Sequence, residues 1–185
     1  MKRMLKMNLA NKLTIIRLFM VPIFVLIYNR FGVTSPIPAI IFALTSATDF
    51  LDGYIARSRN LITTFGKFMD PLVDKVLTQA GYIVLVGSGI IPAWTVIVIV
   101  FRELLIDGLR ILAASNNITI AASIYGKLKT TSQMITIIMY LLSGVLTFIP
   151  DIVYQILLYI SIILTIISGL DYLIKNIEVL DLDNI

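Results

Sequence analysis

Six apolar segments follow one another along this chain, and their length decides what it can fold into. They run over roughly Leu13–Tyr28, Ile37–Ala56, Leu72–Val86, Ile91–Ala113, Ala121–Leu146 and Ile152–Ile174. A helix needs about 20 residues to cross the hydrocarbon core of a bilayer. Each segment is near that length, and the first and third can extend into their polar flanks. Turn residues mark the breaks: Gly32 to Pro36, Gly87-Ser88-Gly89 with Pro92, Asn116-Asn117, and Gly144 with Pro150. Hydrophobic residues make up 58% of the 185 positions, more than a soluble domain of this size can bury. The expected fold is an all-α integral membrane protein, a single domain over residues 1–185 with six transmembrane helices. Met1, Met4, Leu5 and Leu9 fall on one helical face among basic residues, which predicts a short interfacial helix before the first span.

The basic residues give the expected orientation. Lys2, Arg3, Lys6 and Lys12 precede the first segment. Arg57, Arg59 and Lys67 lie between the second and third, Lys127 and Lys129 open the fifth, and Lys175 follows the sixth. The opposite loops hold only Arg30. Both termini are therefore expected on the cytoplasmic side, with the loop between the second and third segments.

That loop is flanked by the chain's main concentration of carboxylates. The run reads Asp49-x-x-Asp52-Gly53-x-x-Ala56-Arg57, then eight residues, then Gly66-x-x-x-Asp70-x-x-x-Asp74. A charge in or near hydrocarbon costs about 2.5–3.5 kcal/mol on insertion scales, so such residues usually serve chemistry or transport. On helices, Asp49 and Asp52 share one face at i, i+3, and Asp70 and Asp74 share one at i, i+4. Pro71 is expected in the first turn of its helix, where it forfeits no hydrogen bond. Two facing helix ends would gather four negative charges, which match two divalent cations. The chain has no histidine and no cysteine, so a metal site must be built from oxygen. Oxygen sites suit Mg²⁺, Mn²⁺ or Ca²⁺. Paired metals of this kind can clamp the attacking and leaving oxygens of a phosphoryl displacement. Gly53, Ala56 and Gly66 leave room either for a ligand or for a neighbouring helix.

A divalent-cation transporter would distribute its carboxylates along a path and tend to repeat its motif in a second half. Neither pattern is present. A non-catalytic lipid-binding scaffold has no need of four aspartates in register.

The aspartate run resembles, position for position, the motif of the CDP-alcohol phosphatidyltransferase family, and the resemblance extends over the whole chain. It implies an integral enzyme of the bacterial cytoplasmic (inner) membrane, with its active site facing the cytoplasm. Such an enzyme displaces CMP from a CDP-linked lipid with an alcohol, uses two Mg²⁺ or Mn²⁺ ions and forms a homodimer. Carried over, Asp49, Asp52, Asp70 and Asp74 hold the metals, and Asp74 is also the general base. Gly53, Ala56 and Gly66 make space for the cytidine nucleotide, and Arg57 sits by its phosphates or braces the carboxylates.

Further stretches are similar to the phosphatidylglycerophosphate synthase branch of that family. They are Asn8-Leu9-Ala10-Asn11-Lys12-Leu13-Thr14-Ile15-Ile16-Arg17, Gly66-Lys67-x-x-Asp70-Pro71-x-x-Asp74-Lys75, Phe101-Arg102-Glu103 with Arg110, and Gly126-Lys127-x-Lys129-Thr130-x-x-Gln133. This similarity implies CDP-diacylglycerol as donor and sn-glycerol 3-phosphate as acceptor. Phosphatidylglycerol, as in cardiolipin synthesis, and an inositol phosphate are the alternative acceptors. It places Asn11, Thr14 and Arg17 against the nucleotide or diphosphate, although as residues alone they could cap the first span and snorkel. An acceptor carrying its own phosphate needs fixed cations. Arg110 and Lys129 are the first candidates, followed by Arg102 and Lys67. The alternative is that Arg102, Glu103, Asp107 and Arg110 pair with one another. Ser161, Thr165 and Ser168 are expected to serve helix packing. The partners implied are these two substrates and membrane lipid, with no nucleic acid.

Overall fold

Why six helices, and where each ends, follows from local chemistry at the breaks. The computed structural model describes residues 9–58, 64–116, 118, 120–121 and 123–180; the side chains of 9–10, 49–58, 64, 67–68 and 180 lie outside that description. Among the described residues there is no strand. The elements are α1 (Leu9–Phe31), α2 (Ile37–Ser58), α3 (Thr64–Gly87), α4 (Ala93–Ser115), α5 (Ile124–Leu141), α6 (Asp151–Lys175) and a closing 3-10 turn (Ile177–Leu180). The all-α expectation and the order of six helices hold. The expected interfacial helix over Met1–Leu9 falls almost wholly outside the described residues.

Gly32 ends α1 in the left-handed region, at φ 59°, and its N–H bonds Tyr28 O at 2.7 Å. Ser35 Oγ accepts from the Ile37 N–H at 3.3 Å and caps α2. Gly89, at φ 70°, turns the chain between α3 and α4.

Two helices, α3 and α5, differ from the sequence expectation in their bounds. α3 begins at Thr64 rather than Leu72, so Pro71 lies inside the helix, not in its first turn. The helix there forgoes one backbone hydrogen bond, as α1 does at Pro22. α5 is shorter at both ends than Ala121–Leu146. Its start is set by Ser123, whose Oγ accepts from the Tyr125 N–H at 3.2 Å while its hydroxyl donates to Asp171 Oδ2 at 2.6 Å. Its end is set by a tight turn. Val145 N–H bonds Leu142 O at 2.9 Å, and a Cβ on Gly144 would lie 2.5 Å from Val33 O.

The helices form two compact units, residues 1–85 with 140–147, and residues 86–139 with 148–185. In the first, α1 packs along α2 through Phe24, whose ring centroid lies 5.5 Å from that of Phe42; Val73 and Leu77 of α3 are buried in the same unit. In the second, α4 packs on α6 around Ile106, Leu109, Ala113 and Tyr172, and Val179 of the 3-10 turn closes the cluster.

The outer faces are apolar. Ile16, Phe19, Ile23 and Leu26 form an exposed stripe on α1, and Ile97, Phe101, Leu104 and Ile111 form another on α4. Water does not tolerate so much contiguous hydrocarbon. Residues Asn11–Phe31 and Asp151–Lys175 are each long and apolar enough to cross a membrane; Ile37–Thr48 is apolar but shorter.

Candidate active site

α2 carries Asp49, Asp52, Gly53, Ala56 and Arg57 in its last turns; their side chains, and that of Lys67, lie outside the described set. α3 carries buried Gly66, then Asp70 and Asp74 one turn apart. On α1, Thr14 and Arg17 lie three residues apart and are buried. The Thr14 hydroxyl donates to Asp70 Oδ1 at 2.6 Å, and Arg17 Nη2 lies 3.8 Å from the same oxygen. The first unit thus gathers Thr14, Arg17 and Asp70 at one point. Asn11 is half-buried one turn earlier on α1.

Among the described residues no three metal-binding side chains are clustered. Half of the expected set, Asp49 and Asp52, falls on the undescribed side chains of α2. What is described suits a hard cation. Asp70 has one oxygen held by Thr14 while its side chain remains 42% exposed, so lone pairs stay open for a ligand. Asp74 repeats the carboxylate one turn on.

The second unit holds a cluster of charges. Glu103 on α4 is buried, and its Oε1 meets both Arg102 Nη1, at 3.2 Å, and the ammonium of Lys129 on α5. Gly169 makes room for this arginine, since a Cβ there would lie 3.2 Å from Arg102 Cγ. Arg102 and Lys129 thus both contact the one carboxylate of Glu103. Arg110 sits elsewhere on α4. Its Nε donates to the Tyr172 hydroxyl at 2.7 Å. Its Cζ lies 5.2 Å from the ring centroid. Because the hydrogen bond draws the guanidinium to the hydroxyl end, that bond rather than the ring face carries the contact.

Gln133, one turn beyond Lys129, donates from Nε2 to Thr165 Oγ1 at 3.0 Å. The hydroxyls of Ser161, Thr165 and Ser168 donate to carbonyls of their own helix, so this stripe serves packing, as expected. No local pattern points to Tyr172 as the partner of Arg110, because the two are 62 positions apart. Ser123 was missed as well, although a serine just before an apolar run is the pattern of a helix cap.

Comparison with known proteins decides the lineage. A sequence model of the CDP-alcohol phosphatidyltransferases matches residues 7–167. The chain belongs to the CDP-alcohol phosphatidyltransferase family. It is 39% identical to the CDP-diacylglycerol–glycerol-3-phosphate 3-phosphatidyltransferase of Bacillus subtilis, over 96% of this chain and 99% of that one. The protein of the same name from Rickettsia typhi is 39% identical over 89% of this chain and 94% of its own. A probable phosphatidylglycerophosphate synthase of Mycobacterium tuberculosis is 37% identical over 92% of this chain and 82% of its own. The family match takes in the aspartate run and the polar residues of α1, α4 and α5 described above. The chain is thus a phosphatidyltransferase.

Proposed function

We propose that this enzyme transfers the phosphatidyl group of CDP-diacylglycerol to the 1-hydroxyl of sn-glycerol 3-phosphate, giving phosphatidylglycerophosphate and CMP. The observation that carries this reading is the 39% identity, over nearly the full length of both chains, to a relative named for that donor and acceptor. The charge cluster of α4 and α5 supports an acceptor that brings its own phosphate.

In this reading the acceptor oxygen bonds to the phosphatidyl phosphorus as the bond from that phosphorus to the CMP oxygen breaks. Asp74 takes the hydroxyl proton, and CMP leaves. Asp49, Asp52, Asp70 and Asp74 would hold two divalent cations, Mg²⁺ or Mn²⁺, which supply Lewis-acid stabilisation of the phosphoryl oxygens. A carboxylate is a weak base, so the alignment of Asp74 with the acceptor hydroxyl must supply much of its effect. Gly53, Ala56 and Gly66 give the nucleotide room, and Arg57 neutralises its phosphates. Arg110 and Lys129, with Arg102 and Lys67, bind the acceptor phosphate.

The exposed apolar stripes and the two helices of spanning length support a multi-pass membrane protein. The basic residues support six crossings with both termini and the aspartates on the cytoplasmic side of the inner membrane. The homodimer is part of the same proposal and rests on family resemblance.

The test is an assay of purified protein with CDP-diacylglycerol, Mg²⁺ or Mn²⁺, and a panel of acceptors. CMP should be released with glycerol 3-phosphate. Release with phosphatidylglycerol or an inositol phosphate and none with glycerol 3-phosphate would overturn the acceptor.

A further inference from the structure

Thr14 and Arg17 reach the site through Asp70. α1 presents both residues on one face, and both are almost fully withdrawn from solvent, at 1% and 2% exposure. An ionised carboxylate can only accept, so the Thr14 hydroxyl is the donor of the 2.6 Å bond to Asp70 Oδ1. That length lies in the range of charge-assisted O–H···O⁻ bonds, about 2.5–2.7 Å. The hydroxyl has one proton and spends it on Asp70, so it has none to give a phosphate. Arg17 Nη2 is 3.8 Å from that same Oδ1, too long for a good hydrogen bond but close enough for charge attraction. Both partners act on one oxygen, and the Asp70 side chain as a whole remains 42% exposed. A carboxylate held at Oδ1 loses most of its freedom to rotate, which fixes where Oδ2 points.

We propose that Thr14 and Arg17 are positioning residues for the metal site, Thr14 by its hydrogen bond and Arg17 by its charge. They fix Asp70 Oδ1 so that the remaining carboxylate oxygen is presented to a divalent cation. Ligating carboxylates are commonly oriented by such partners, whose loss costs roughly 10–100-fold in metal affinity or activity. Arg17 also offsets part of the repulsion among four like charges before the cations bind. The inference rests on the divalent-metal reading above and deepens it.

The experiment uses the full chain in detergent, stripped with chelator and without substrate. Thermal unfolding is followed as Mn²⁺ is added. The wild type should be stabilised by Mn²⁺. Thr14→Val should need about tenfold or more Mn²⁺ for half of the same stabilisation. Thr14→Ser, which keeps the donor, should titrate like the wild type. At saturating Mn²⁺ the KM of Thr14→Val for CDP-diacylglycerol should match that of the wild type. An unchanged Mn²⁺ midpoint in Thr14→Val would overturn the positioning role, and an accompanying rise in the donor KM would assign the residue to the nucleotide. No Mn²⁺ stabilisation of the wild type would overturn the metal reading itself, and this inference with it. If Thr14→Val does not fold, Arg17→Gln carries the same titration, with the same outcomes deciding.

Discussion

The ammonium of Lys129 on α5 lies against the carboxylate of Glu103 on α4, and both side chains are buried. Breaking a buried pair by removing one partner leaves an uncompensated charge and costs about 3–5 kcal/mol. Glu103→Gln and Lys129→Met should therefore each lower the thermal midpoint markedly, and the double variant should lose less than the two losses added. The kinetic outcomes should differ. Lys129→Met removes a cation proposed to bind the acceptor phosphate and should raise the KM for glycerol 3-phosphate by about ten- to hundredfold. Glu103→Gln leaves both cations in place and should spare that KM. Equal KM effects would assign the pair to helix packing.

Gly144 sits where a β-carbon has no room. The obstructing atom is Val33 O, a backbone atom held between the end of α1 and the start of α2. Gly144→Ala should destabilise the fold by about 1–3 kcal/mol, the usual cost of forcing atoms into a packed site. Thermal unfolding of the variant in detergent measures this, and a midpoint equal to wild type would refute it.

How much of this was legible in the sequence differs from residue to residue. Apolar length and the turn residues at the breaks located the six helices, because both are local properties of the chain. The start of α3 was missed because Gly66, Lys67 and Asp70 look like loop residues, and Pro71 looks like a helix opening. α5 was drawn too long because Ala121 at one end and Leu142, Val145 and Leu146 at the other are apolar without being helical, and hydropathy does not distinguish the two. The aspartate spacing was readable because i, i+3 and i, i+4 are local relations. The bonds of Thr14 to Asp70 and of Arg110 to Tyr172 join residues 56 and 62 positions apart, and a single sequence carries no signal for such pairs.

Removal of metal should abolish turnover. A chelator should stop CMP release, and added Mg²⁺ or Mn²⁺ should restore it, since only oxygen donors are available. Asp49→Asn and Asp70→Asn should each abolish activity while leaving thermal unfolding close to wild type. Full activity in either would sink the two-cation mechanism.

Topology can be read with single cysteines, because the chain has none of its own. Ser88→Cys, in the turn between α3 and α4, should react with an impermeant thiol reagent added from outside intact cells. Tags at both termini should be accessible only from the cytoplasm. Labelling of Ser88→Cys exclusively from the cytoplasmic side would reverse the orientation.

Arg110 tests where the acceptor phosphate binds. Its Nε is committed to the Tyr172 hydroxyl. A guanidinium has five N–H donors, so this bond fixes the plane of the group and leaves the two terminal nitrogens for a bidentate contact. Loss of a charged contact costs roughly 1.5–3 kcal/mol, or about ten- to hundredfold in affinity. Arg110→Ala should therefore raise the KM for glycerol 3-phosphate by that factor, with little change in the KM for CDP-diacylglycerol. Arg57→Ala should show the opposite bias. Arg110→Lys keeps the charge but loses the fork and should recover only part of the loss. Tyr172→Phe leaves the cation and removes only its orienting bond, worth about 0.5–1.5 kcal/mol, so its effect on the acceptor KM should be a few-fold to about tenfold. If Arg110→Ala leaves the acceptor KM unchanged and Tyr172→Phe lowers only the thermal midpoint, the pair holds α4 to α6 and the phosphate binds elsewhere.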